Sequence, residues 1–293
     1  MQHLWQLDSI KTRDGLTLSG MLSEPDIFDS GRTAVVVVHG LTSAFYQGLG
    51  RAQALHEECQ AAGYALALYN NRGHNVAIPG AIPNKKGVSA FIGSGFERFE
   101  DCLYDIDAVI AHLKKKGYKK FVLIGHSTGA NKVAYYLARR SRLKNIIGAV
   151  LLSAISDIAA ERAVHRQEFS AMHRRVRQMK RDAIIQSELG PYVMSPARFE
   201  SLYTPGGSED MFPYYDESLP WTLFSRIATP LLVCVGAKDE WLDRPVKKYL
   251  EAFVRHTPKK ATLQTAVIPG ANHGYKKHEQ KLAQVLIPWI NNL

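Results

Sequence analysis

Five stretches of this 293-residue chain are too evenly apolar to lie anywhere but inside a sheet covered on both faces. They are Ala34–Val38, Tyr64–Tyr69, Phe121–Ile124, Ile146–Leu152 and Pro230–Gly236. A strand with one wet face alternates apolar and polar residues, whereas a run without alternation suits a parallel strand buried on both sides. Helical stretches fall between the runs. Residues 48–62 read as a helix closed by Gly63, and Phe96–Lys116 carries Phe99, Leu103, Ile106, Ile110 and Leu113 on one helical face. Further helices are expected at Asn131–Arg140, Val246–Arg255 and Lys277–Ile290, with a strand at Thr262–Ile268 and a hairpin around Asp14-Gly15 at residues 5–23. This alternation implies right-handed βαβ crossovers, hence an α/β fold with a mostly parallel central sheet flanked by helices.

Residues 158–228 break the rhythm and read as a helical cap inserted into a core domain made of residues 1–157 and 229–293. From Phe169, the apolar residues Met172, Val176, Met179 and Ala183 recur at helical spacing, which predicts an amphipathic helix over this stretch. Its other face carries Arg174, Arg175, Arg177, Lys180 and Arg181. Met and Ala make a poor membrane face beside Leu and Trp, so a membrane-surface helix is the weaker reading. The second half is rich in turn-formers and aromatics, among them Pro191, Tyr192, Phe199, Tyr203, Tyr214 and Trp221.

The net charge of +10 invites a nucleic-acid reading, but the chain carries no nucleic-acid module, and a lysine- and arginine-rich surface accounts for the excess. No apolar run approaches the roughly 18 residues that span a bilayer, and the start at Met1–Gln6 has no signal-peptide pattern. Cys59, Cys102 and Cys234 are scattered among apolar neighbours without disulfide or metal spacing. A reduced, cytoplasmic protein without membrane insertion is expected. The acidic run Glu97, Glu100, Asp101, Asp105 and Asp107 reads as a solvated helix face.

The chemistry centres on Gly125-His126-Ser127-Thr128-Gly129, between an apolar strand and a helix. In that context G-x-S-x-G is a sharp turn that lifts the serine hydroxyl clear of the backbone and sets helix N-terminal amides behind it. A serine hydroxyl needs a base, and the base needs an orienting acid. Asp239 lies just past one apolar strand and His273 just past the next, each at the sheet edge where open α/β sheets bind ligands. Asp243 is the alternative carboxylate. His39, His74 and His126 are read as structural.

On His39-Gly40, Arg72-Gly73-His74, the 125–129 turn, the Asp239 strand and the His273 loop, the chain resembles the α/β-hydrolase superfamily in its cap-bearing serine esterase and lipase-like branch. The resemblance covers nearly everything outside 158–228. It implies Ser127 as nucleophile, His273 as general base then acid, and Asp239 as orienting carboxylate. It also implies an oxyanion hole from the backbone N–H groups of Leu41 and Thr128, and no cofactor or metal. The Arg72-Gly73-His74 stretch is similar to loops of monoglyceride-lipase-like and aminopeptidase-like members, where an aspartate precedes it. Here Asn70-Asn71 stands in that place.

The expected activity is hydrolysis of a small-molecule carboxylic ester through an acyl-serine, the ester or lactone being bulky and mostly apolar. Met172, Val176 and Met179 are expected to line its pocket. Amide, thioester and carbon–carbon hydrolysis by the same residues stay open, as does a non-catalytic ligand-binding role. Oligomeric state is not legible in the sequence.

Overall fold

The computed structural model describes residues 5–81, 87–140, 143–165, 168–181, 183–186 and 193–293. Met1–Leu4, Pro191 and Tyr192 lie outside the described residues. Eight strands form one sheet: β1 (Trp5–Lys11), β2 (Thr17–Ser23), β3 (Thr33–Val38), β4 (Ala65–Tyr69), β5 (Lys120–His126), β6 (Ile146–Leu152), β7 (Leu231–Gly236) and β8 (Leu263–Ile268). Their order across the sheet is β1-β2-β4-β3-β5-β6-β7-β8. From β4 to β8 every neighbouring pair is parallel, and β2 alone runs against them. The five evenly apolar runs became β3 to β7, the inner strands, as burial on both faces requires.

Among the described residues eight α-helices accompany the sheet: α1 (Leu49–Ala62), α2 (Cys102–Lys115), α3 (Thr128–Arg139), α4 (Asp157–Val164), α5 (Glu168–Val176), α6 (Pro196–Tyr203), α7 (Val246–Arg255) and α8 (Glu279–Asn291). Helices α2, α3 and α7 cover one face, with Phe99, Ile106, Tyr136, Leu123 and Phe253 in its core. Helices α1 and α8 cover the other, with Leu55, Val122, Cys234, Leu286 and Ile290. All three cysteines are buried in these two cores.

Some elements depart from the sequence reading. The loop of residues 75–95 contains a short antiparallel ribbon, Ile78–Ala81 against Ser89–Ile92. Helix α2 starts at Cys102, after a single 3-10 turn at Phe99–Asp101, and not at Phe96. Helix α5 ends at Val176, after which Gln178 and Met179 donate only three residues back. Continuing it would stack Arg177 on Arg181 at i,i+4, a like-charge pair that costs a few tenths of a kcal/mol.

The acidic run is corrected most sharply. Glu97 and Asp105 are buried, not solvated. Arg72 holds Asp105 at 2.8 Å and Asp14 at 3.0 Å. Lys132 of α3 holds Glu97 at 2.7 Å, and Arg198 of α6 reaches the same carboxylate at 3.2 Å while also pairing with Glu209. Carboxylates are buried only when paired, and the cations that pair them come from distant parts of the chain.

Candidate active site

Ser127 follows the last residue of β5 and caps α3, with φ 57° and ψ −130°. A non-glycine residue at positive φ is strained and must be held there. Two backbone bonds hold it: Ser127 N–H donates to the Leu152 carbonyl on β6 at 2.9 Å, and Ala130 N–H donates to the Ser127 carbonyl at 2.8 Å. The flanking glycines have a steric reason. A β-carbon on Gly129 would run into the Val38 carbonyl, and one on Gly125 into the Gly129 and Ala130 backbone. Strand, turn and helix therefore close to backbone contact around the serine.

Asp239 lies in the turn after β7 and His273 in the loop after β8, so both emerge at the carboxyl edge that carries Ser127. His273 Nδ1 stands 2.9 Å from Asp239 Oδ1 and 3.0 Å from Oδ2. The Asp239 side chain is fully shielded and also accepts from the Trp241 N–H at 3.1 Å. Asp243, the alternative carboxylate, is engaged by Arg244 through two bonds of 2.9 Å. The His273 loop is pinned twice. Its N–H donates to Glu240 at 2.9 Å, and its carbonyl lies 2.9 Å from His126 Nε2. Burial pushes the His126 imidazole well below its ordinary pKa, with Arg51 adding to the effect, so it serves as a neutral donor.

The loop after β3, carrying Leu41, is fastened by the asparagines that replace the expected aspartate. Asn70 Oδ1 accepts from Phe45 N–H at 2.8 Å, and Asn71 Nδ2 donates to the His39 carbonyl at 3.1 Å. Asn71 Oδ1 in turn accepts from buried Lys132 at 2.9 Å. His39 Nε2 accepts from the Asn71 N–H at 3.1 Å, and burial lowers its pKa to about 3, so the ring is neutral.

A cavity of about 380 Å³ brings Ser127, His273, Leu41 and Thr128 together. Trp241 and Arg51 also line it. The segment between β6 and β7 contributes Asp157, Ala160, Glu161, Val164 and His165 from α4 and its end, and Tyr203 from α6. Met172 and Val176 are not in this wall. They are buried in an apolar cluster with Phe169, Phe199, Leu202 and Tyr203, against which Met179 and Leu41 pack. A helical stripe reports that a face is covered but not by what; here α6 covers it. The sequence reading did not single out α4, whose eight residues are too few to show a helical stripe. Burial raises Asp157 to about 8, with Glu209 adding to the effect, and raises Glu161 to about 7.

Fold and site together define an α/β-hydrolase. The chain belongs to the family described as "Protein of unknown function (DUF1749)", whose model matches residues 81–292. It is 32% identical to a "Non-heme haloperoxidase" of Rhodococcus erythropolis over 99 residues, which is 34% of this chain and only 30% of that protein's length. Among solved structures it is similar to Est1E from Butyrivibrio proteoclasticus (TM-score 0.65, 16% identity, 98% of each chain). It is also similar to a Pyrococcus furiosus esterase (TM-score 0.60, 17% identity, 99% of this chain and 90% of the other) and to DcsB, determined with a substrate analogue (TM-score 0.66, 13% identity, 99% of each). At these identities the likeness is one of fold. Among the described residues no helix is long and apolar enough to cross a membrane, and no cluster of three or more His, Cys, Asp or Glu is grouped to hold a metal ion.

Proposed function

We propose that this protein hydrolyses carboxylic esters through an acyl intermediate on Ser127. The observation that carries the reading is the His273–Asp239 pair at 2.9 Å, opening into the same cavity as a serine held at positive φ. Ser127 Oγ attacks the ester carbonyl carbon while His273 Nε2 takes its proton. Asp239 keeps the other ring nitrogen protonated and steadies the imidazolium that forms. The carbonyl oxygen becomes an oxyanion beside the N–H groups of Leu41 and Thr128, each such donor being worth roughly 3–4 kcal/mol of barrier. The tetrahedral adduct expels the alcohol, which takes the proton from His273. Water repeats the sequence on the acyl-serine, releasing the acid and restoring the hydroxyl. On this reading the segment of residues 158–228 acts as a cap that encloses the substrate.

The test is labelling and turnover together. A fluorophosphonate should label Ser127, p-nitrophenyl esters should be hydrolysed, and Ser127→Ala should abolish both. Labelling at another residue, or turnover surviving in pure Ser127→Ala protein, would overturn the assignment.

A further inference from the structure

Two carboxyls stand in the cavity wall, unused by the reaction proposed above. Asp157 and Glu161 lie one turn apart on α4 and face the cavity that contains Ser127 and His273. Asp157 Oδ2 and Glu161 Oε1 are shielded from water and have no hydrogen-bond partner. Leaving such groups unmatched is costly, and a carboxyl pair without a cation is an arrangement that native interiors avoid. The surroundings do not supply the cation. Arg198 of α6 is committed to Glu97 and Glu209, and His165 approaches Glu161 only to 3.7 Å. Arg51 also lines this cavity, beside His126, where the groups acting on its charge are Glu279 and Tyr275 and neither of the two carboxyls. Two aromatic residues, Trp241 and Tyr203, also line the cavity, and aromatic rings can attract a cation.

We propose that Asp157 and Glu161 form a recognition site for a cationic amine on the substrate, so that the preferred ester carries a basic amino group on the part lodged against α4. The inference rests on the esterase reading for its reaction, but the recognition site is defined by the cavity alone. Polarity sets the orientation. Arg51 repels a cation beside His126, while the two carboxyls attract it against α4. In the empty cavity near neutral pH Asp157, raised to about 8, keeps its proton, and Glu161, raised to about 7, is about half protonated. An ammonium group binds their ionised form and displaces protons, so affinity for it should climb as pH rises from 6 towards 9. Above that range the amine itself, with an ordinary pKa near 10.4, begins to lose its charge.

The experiment uses calorimetry on the Ser127→Ala protein, with methyl 6-aminohexanoate and its neutral counterpart of equal length, methyl heptanoate. The amino ester should bind at least tenfold more tightly at pH 8, with proton release measured across buffers of different ionisation enthalpy. Its advantage should shrink at pH 6. Adding Asp157→Asn with Glu161→Gln should bring the two affinities within about twofold of each other. Glu161→Gln alone should remove part of the advantage, which provides a reading if the double variant is unfolded by circular dichroism. Equal binding of the two esters at pH 8, or an advantage that survives Glu161→Gln undiminished, would overturn the inference. Hydrolysis by the wild-type protein is read separately: selective binding without turnover retains the amine site and removes the esterase reading, and turnover without selective binding does the reverse.

Discussion

Gly40 packs close against Ser127: a β-carbon at Gly40 would lie 2.8 Å from Ser127 Cβ and 2.8 Å from the His126 carbonyl. The loop after β3 and the turn after β5 thus meet at backbone distance, and the Leu41 N–H follows directly on that contact. Gly40→Ala should push the loop away from the serine. We expect at least a hundredfold loss in kcat, in line with the loss of one oxyanion donor, and a fall in Tm of only a few degrees. Steady-state kinetics and a melting curve on the same preparation check this.

Asp239→Asn should cost far more activity than Asp243→Asn. Asp239 holds both contacts to His273, whereas Asp243 faces Arg244. Replacing the orienting carboxylate has the character of a loss near 10⁴ in kcat, because the imidazole settles in the wrong tautomer. Asp243→Asn should remain within about tenfold of wild type. Comparable losses in ester turnover would identify the wrong carboxylate.

Stability should depend on pH through Asp157. Its carboxyl holds a proton up to about pH 8 in the folded chain, against an ordinary value near 3.9. Between those values the folded state binds more protons than the unfolded one, so its stability falls as pH rises through that window. Asp157→Asn carries no such proton. Its Tm relative to wild type should therefore rise by several degrees between pH 5 and pH 9, as followed by scanning calorimetry. A difference independent of pH would contradict the shifted carboxyl.

Glu97→Ala should destabilise strongly, because it leaves Lys132 and Arg198 without their shared carboxylate. Those side chains are 1% and 0% exposed, and breaking a buried pair on one side costs about 3–5 kcal/mol. Urea denaturation should show the shift in midpoint. A loss under 1 kcal/mol would mean that water reaches the cluster.

Met172→Ala should act on stability and not on choice of ester. Met172 lies in the cluster with Phe169 and Phe199, outside the cavity wall, and truncating a buried methionine costs about 2–5 kcal/mol. A changed ranking of p-nitrophenyl esters by chain length, without a lowered Tm, would place this side chain at the substrate.

What was legible in the sequence was whatever depends on near neighbours in the chain. Ala34–Val38 and Ile146–Leu152 could be read as doubly covered strands because each run carries its own evidence. Gly63 marked the end of α1 where the backbone turns to φ 78°. Ser127, Asp239 and His273 could be placed on one edge because each closely follows a strand. What failed depended on partners far away. Glu97 looked solvated until Lys132 and Arg198 were brought to it, and Asp105 until Arg72 was. The Met172–Val176 stripe needed a cover, and α6, twenty residues on, proved to be it. The roles of Asn70 and Asn71 were invisible because they fasten the Leu41 loop through the Phe45 N–H and the His39 carbonyl, backbone groups that no side-chain pattern records.

The Lys132–Glu97–Arg198–Glu209 cluster bears on how such a molecule can diverge. Lys132 belongs to the helix that starts behind Ser127, whereas Arg198 and Glu209 belong to the segment of residues 158–228, whose α4 and Tyr203 line the cavity. Transplanting that segment carries the Arg198–Glu209 pair with it, but in a relative lacking Glu97 the buried guanidinium would lose its second carboxylate. Such segments should therefore exchange most readily together with Glu97, their anchor in the core, and α4, which takes no part in the cluster, is freer to vary than α6.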